Sequence, residues 1–157
     1  MKQILSLALT VILIVVLLIP AVQAGGNPVE RRYLSIEYLD NGDYIITEYA
    51  QDLSLGLSPN SIMATKPGAK TATYYSSAGI KIWDVTVNGT FSYTYGVSAT
   101  ATGATATVNI YAAGATFVSK SASTAGNTAT ATGTVRYNGS STTKSVSVSC
   151  DKYGNIY

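Results

Sequence analysis

Apolar and polar residues alternate with a period of two along most of the chain, and Gly-, Asn- and Ser-rich punctuation interrupts them at short intervals. A period of two puts successive side chains on opposite faces of an extended strand. Arg31–Leu39 and Tyr44–Ala50 flank Asp40-Asn41-Gly42-Asp43. Asn-Gly supplies the two positive-φ positions of a two-residue type I′ turn. Closing the hairpin there predicts Leu34, Ile36 and Tyr38 on the same face as Ile45 and Tyr49. Residues 51–69 show no clear period and contain Pro59 and Pro67, which predicts a long irregular connection. Lys70–Ser76 and Ile80–Val87 flank Ser77-Ala78-Gly79, a second hairpin.

Asn88-Gly89 looks like another turn, but parity opposes it. Trp83, Val85, Val87, Phe91, Tyr93 and Tyr95 all fall on odd positions. A two-residue turn at 88–89 would send Phe91 to the face opposite Trp83. One strand from about Ile80 to Tyr95 keeps them together, with Gly89 allowing a bend or a close approach. In Ala99–Ile110 the Ala/Thr alternation changes phase at Gly103, as a β-bulge would make it do. Phe117–Thr124 and a last hairpin, Thr128–Tyr137 with Thr142–Cys150 around Asn138-Gly139-Ser140-Ser141, complete the pattern. That hairpin predicts Ala131, Val135 and Tyr137 on one face with Val146, Val148 and Cys150. The expected fold is all-β: an antiparallel two-sheet β-sandwich, Ig-like in architecture, with seven or eight strands. A secreted barrel is the second architecture. An outer-membrane barrel fits less well, because its lipid face needs bulky apolar residues and these ladders offer mainly Ala.

The first residues change the picture of where the domain begins. Lys2, an apolar run from Ile4 to Ile19, Pro20 and then Val22-Gln23-Ala24 form the three-part layout of a secretory signal. The run is shorter than the roughly 20 residues a spanning helix needs. The reading is a signal peptide at 1–24, one domain at 25–157, release to the extracellular space and no membrane span after cleavage. Lys+Arg 10 against Asp+Glu 8 leaves a net charge of +2, too balanced for the basic face of a nucleic-acid binder. With charged residues at 11%, the surface falls to Ser, Thr, Asn and the 12 tyrosines. The single Cys150 forms no disulfide within the chain. Its alternation with Val146 and Val148 fits a buried thiol better than an intermolecular bridge.

Candidate chemistry is sparse. The chain has no histidine, which removes the commonest general base and metal ligand. No Ser-His-Asp or Cys-His site can be assembled, and no zinc ligand set is present. Glu37 and Glu48 are expected on one face of the first hairpin, and only such a carboxylate pair points toward glycoside hydrolysis. Asp40 and Asp43 flank its turn, where calcium would need six or more oxygen ligands. Solvation and turn capping account for these residues better. No catalytic residue, cofactor or metal ligand is assigned. Tyr74, Tyr75 and Tyr95 are the candidate binding surface, since Tyr adds contact area at low entropic loss, although strand propensity alone also favours Tyr there.

One resemblance bears on function. Thr73-Tyr74-Tyr75-Ser76, the segment Ile82-Trp83-Asp84-Val85-Thr86-Val87-Asn88-Gly89-Thr90-Phe91-Ser92-Tyr93, Ser121-Ala122-Ser123, Gly126-Asn127-Thr128-Ala129 and Val146-Ser147-Val148-Ser149-Cys150 resemble, in order, a group of small secreted proteins of Gram-positive, often gut-dwelling, bacteria. Tyr38-Leu39-Asp40-Asn41-Gly42-Asp43-Tyr44 is similar to that group's N-terminal hairpin. The resemblance implies export and an all-β domain, and no established activity. It also implies a second cysteine near Ala101, absent here, which leaves Cys150 without its partner. The functional expectation is a non-catalytic binding module at or outside the cell envelope, with a cell-wall polymer, glycan or protein as partner. A secreted toxin or antimicrobial is the alternative, and a glycan hydrolase the third.

Overall fold

The computed structural model describes residues 13–15, 30–52 and 63–157. Its strands are β1 (Leu13–Val15), β2 (Glu30–Tyr38), β3 (Tyr44–Asp52), β4 (Met63–Tyr75), β5 (Lys81–Thr94), β6 (Ser98–Ile110), β7 (Thr116–Ala125), β8 (Thr128–Tyr137) and β9 (Ser140–Ser149). β2 to β6 form one sheet in chain order, with β1 added beside β2, and β7 to β9 form the other. All pairings are antiparallel. Apart from the three-residue β1, eight strands are thus divided five and three between two sheets, the expected sandwich. β1 falls within the stretch assigned to the leader, and the remainder of 1–24 lies outside the described residues. No helix among the described residues is long and apolar enough to cross a membrane.

β5 is the spine of the core. It runs unbroken through Asn88-Gly89, and its odd positions Trp83, Val85, Val87 and Phe91 are buried to within 1% of full exclusion. Burying side chains of this kind stabilises the fold by roughly 1.5–3 kcal/mol each. Ala129, Ala131 and Val135 of β8 and Val146 and Val148 of β9 close over them. The sheets touch through small residues. A Cβ added at Gly89 would lie 2.7 Å from the Phe91 ring and 2.9 Å from Ala129. One at Gly133 would lie 2.8 Å from Val108.

The ladders follow from local chemistry. Asn138 and Gly139 both have positive φ, so the last hairpin closes on a two-residue loop with Tyr137 opposite Ser140. This loop is two residues shorter than the one expected. Parity is preserved, so Ala131 and Val146 share the inner face as predicted. The phase change near Gly103 is a bulge: Phe91 pairs with Ala101 and Thr90 with Gly103, leaving Thr102 as the extra residue.

Two expectations are corrected. The first hairpin closes on three residues, Asp40 to Gly42, with Tyr38 opposite Tyr44 and Gly42 at φ +83°. Leu39 N–H donates to the Asp43 carbonyl at 2.8 Å, and Gly42 N–H donates to the Leu39 carbonyl at 2.9 Å. Asn41 does not adopt the positive φ that a type I′ turn requires of it. The extra residue moves the register by one, so Ile45 faces the core opposite Glu37. Leu34, Ile36 and Tyr38 therefore face away from the core.

The irregular connection at 51–69 is also shorter than expected. Gln51 and Asp52 finish β3, residues 63–69 open β4, and only 53–62 lie outside the described residues. Pro67 is tolerated because β3 leaves β4 after Tyr49 pairs with Lys70. From Ala69 back to Met63, β4 keeps β5 as its one partner among the described residues, so the missing N–H can face the open side.

The chain after β9 folds back. Asp151 Oδ1 accepts from Tyr153 N–H at 2.8 Å and Asn155 N–H at 2.9 Å, which bends the backbone. Ile156 then inserts against Gly68 and Phe91, and Ser149 and Tyr157 exchange backbone hydrogen bonds. Cys150 is fully buried beneath this turn, and burial, reinforced by the charge of Asp151, pushes its thiol pKa up.

Candidate functional site

The corrected register assembles a surface that parity with the wrong loop length conceals. Tyr38, Tyr44 and Tyr75 lie directly opposite one another on β2, β3 and β4. Their rings form a row: Tyr38 and Tyr44 are tilted with centroids 6.0 Å apart, and Tyr44 and Tyr75 are stacked at 5.2 Å and 9°. Ile36 opposite Ile46, and Leu34 beyond it, continue the row along the same outer face. These three aliphatic side chains are half-buried, and Tyr38 is 58% exposed. The rest of this sheet's outer face differs in kind: Thr71, Thr86 and Thr107 form one cross-strand row, and Asn88 and Thr105 pair in the next.

The row is held from beneath by Asp43. Its Oδ1 accepts Ser77 N–H at 2.9 Å, and its Oδ2 accepts Asn41 Nδ2 at 2.8 Å and the Tyr74 hydroxyl. One carboxylate thereby clamps the β2–β3 turn to the β4–β5 turn. Partial burial pushes the Asp43 pKa up, but the hydrogen bonds from Tyr74, Ser77 and Asn41 outweigh it and hold the carboxyl below 3.8. Tyr74 responds in the opposite sense, its pKa raised by burial and then by its bond to Asp43.

The three tyrosines singled out in the sequence do not converge. Tyr74 is 6% exposed, with its ring stacked on Trp83, and offers no contact area. Tyr75 is its neighbour on the opposite face and belongs to the row. Tyr95 packs edge-on against Tyr153 beyond the other end of β5, a strand length of roughly 45 Å from Tyr75. Tyr38 and Tyr44 complete the row beside Tyr75. Their signal is a tyrosine on either side of one turn, decisive only once the loop length is known.

The acidic candidates are also separated. Glu37 faces inward and pairs with Lys144 of β9, whereas Glu48 lies opposite Leu34 and Thr71 on the outer face. The one-residue shift that turned Tyr38 outward is responsible, so the carboxylate pair considered for hydrolysis is not assembled. Asp43 is occupied by its three donors.

A further buried carboxylate, Asp84 of β5, accepts Asn109 Nδ2 at 2.8 Å and the Tyr111 hydroxyl at 2.6 Å, with Lys81 Nζ at 3.0 Å. Lys81 also sits 3.8 Å over the Tyr111 ring. Burial works to lower the Lys81 pKa, but its bonds to Tyr111 and Asp84 prevail and raise it. Each partner is paired, and the cluster ties β5 to the end of β6. Among the described residues no buried polar side-chain atom lacks a partner, and no group of three acidic or cysteine residues could hold a metal ion.

No protein-family model matches the chain, and no curated protein sequence or solved structure matches it.

Proposed function

We propose that the chain is a secreted, non-catalytic binding module acting at or outside the cell envelope, and that it binds through the outer face carrying Tyr38, Tyr44, Tyr75, Leu34, Ile36 and Ile46. The observation that carries this reading is the placement of that face. A continuous aromatic and aliphatic row occurs on the side of the sheet turned away from the core, on an outer surface otherwise largely of Thr, Ser and Asn. Contiguous apolar side chains left partly exposed on an outer face mark interaction sites. The partner class it fits best is protein. Tyr44 and Tyr75 use their ring faces on each other, so the row presents edges and hydroxyls rather than the open faces on which sugar rings stack.

The test uses protein secreted into culture medium, presented to isolated cell walls and to the other proteins of the medium. Retention by a protein fraction that falls at least tenfold with Tyr38→Ala plus Ile36→Ala, and not with Tyr95→Ala, is the expected result. Retention indifferent to the first pair would overturn the assignment of this face.

A further inference from the structure

The row ends at the edge of β2, and β1 runs along that edge. Leu13 lies opposite Ile36, Ile14 opposite Ser35 and Val15 opposite Leu34, antiparallel. In this register Leu13 and Val15 stand at the positions that prolong the Leu34–Ile36 side of the sheet. The chain thus displays what this edge accepts: an extended apolar segment running antiparallel to β2. Those residues belong to the stretch read above as an excised leader. Excision would remove β1 and leave β2 as the outermost strand, its outward N–H and C=O groups without a partner among the described residues.

The other sheet edges carry more guards than this one, whose one inward charge, Glu37, is taken up by Lys144. On β7 the register shifts at Phe117/Ser119, leaving Val118 as a bulge, and Lys120 follows. On β9 Lys144 points inward to Glu37, and Tyr157 covers the end at Ser149. On β6 Thr102 bulges. Bulges, inward charges and covering segments are the usual devices against strand addition. β2 pairs with β3 over nine residues without a shift, contains no Pro, and is uncharged from Tyr33 to Ile36.

We propose that this edge of β2 is a strand acceptor, filled by the leader's Leu13–Val15 before processing and by β2 of a second copy of the chain afterwards. The proposal rests on the leader reading and on the contact face described above. A second copy fits because β2 complements itself. Antiparallel pairing about Leu34 or Ser35 places Leu34 and Ile36 of both copies on one face. Pairing about Leu34 also sets the basic position 31 of the sequence opposite the acidic position 37 of the other copy. Two five-stranded sheets then join across a two-fold axis into one, the isologous arrangement typical of dimers.

The experiment expresses the full gene in a secreting bacterial host and takes the protein from the medium. N-terminal sequencing and analytical ultracentrifugation follow. A chain beginning at Gly25 that sediments as a dimer in the micromolar range is expected. Ile36→Lys should return it to monomer with its circular dichroism unchanged, while Val118→Lys on β7 should leave the dimer intact. Leu34→Cys and Ser35→Cys, one for each register, are tested separately, and one of them should give a disulfide-linked dimer on mild oxidation, a readout that survives even if Ile36→Lys misfolds. A processed chain that stays monomeric at every concentration, or a dimer lost with Val118→Lys and not with Ile36→Lys, overturns the edge proposal alone. A secreted chain still carrying residues 1–24 overturns the leader reading and the proposal with it.

Discussion

At the residue scale, glycines set how closely the two sheets approach. Gly89 lies under the Phe91 ring and against Ala129, with no room for even a methyl group. Gly89→Ala must displace a buried aromatic or part the sheets, and overpacking of this kind costs about 1–3 kcal/mol. A thermal melt should show a clear fall in Tm for Gly89→Ala. Gly103→Ala, whose new methyl would meet nothing closer than 3.7 Å, should melt close to the parent. Equal losses would contradict this account of the packing.

Two carboxylates make the fold sensitive to acid. Burial pushes Asp43 and Asp151 up, but hydrogen bonds to each prevail and hold both below the ordinary 3.8. A group depressed in the folded state contributes stability above its unfolded pKa, and that contribution is lost as pH falls through the folded value. Stability measured by urea titration should therefore be level above about pH 5 and decline from about pH 4 downward. Asp43→Asn should flatten part of that decline. A decline that Asp43→Asn leaves unchanged would mean that the clamp contributes nothing.

At the element scale, the outer face of β8 and β9 is stitched by four hydroxyl pairs. Thr128–Ser149, Thr130–Ser147, Thr132–Ser145 and Thr134–Thr143 lie at 2.8, 2.8, 2.7 and 2.9 Å. Cross-strand pairs of this type contribute about 0.2–1 kcal/mol each. Thr132→Ala should therefore cost less than about 1 kcal/mol, whereas Trp83→Ala, which empties the centre of the core, should cost about 3–5 kcal/mol. Comparable denaturant midpoints for the two variants would show that the ladder, and not the inner face, carries the sandwich.

Strand identity was legible wherever parity is unbroken. Trp83 to Phe91 declared one long strand through an Asn-Gly that locally resembles a turn, because burial of a shared face outweighs turn propensity. The Gly103 bulge was legible for the same reason. The first hairpin is ambiguous in the sequence because Asn-Gly fits a two-residue loop and a three-residue loop ending in Gly equally well at the local level. Its register was decided by long-range bonds, above all those of Asp43 with Tyr74 and Ser77, more than thirty residues away. The tyrosine row was hidden by the same ambiguity, since one extra loop residue turns Tyr38 from the core to the outside.

At the scale of the whole molecule, each strand pairs with its chain neighbours, but the two sheets pack through contacts distant in sequence: β4 meets β9, and Ile156 closes on Gly68. Such topologies fold slowly, in milliseconds to seconds, because loop closure must precede the contacts that reward it. Stopped-flow refolding of the secreted protein should fall in that range, with a final far-ultraviolet spectrum of β type and no helical bands. Refolding in microseconds would be incompatible with this architecture.

The sequence alone determined that the domain is built from alternating strands, which residues line the inner face of β5, β8 and β9, and that histidine-based chemistry is absent, because these follow from composition and from a side-chain period of two. The tertiary structure alone decided which side of β2 faces the core, that Glu37 and Glu48 part company, and that Tyr38, Tyr44 and Tyr75 meet. Those outcomes hang on a single residue of register, and register is settled by contacts between segments far apart in the chain.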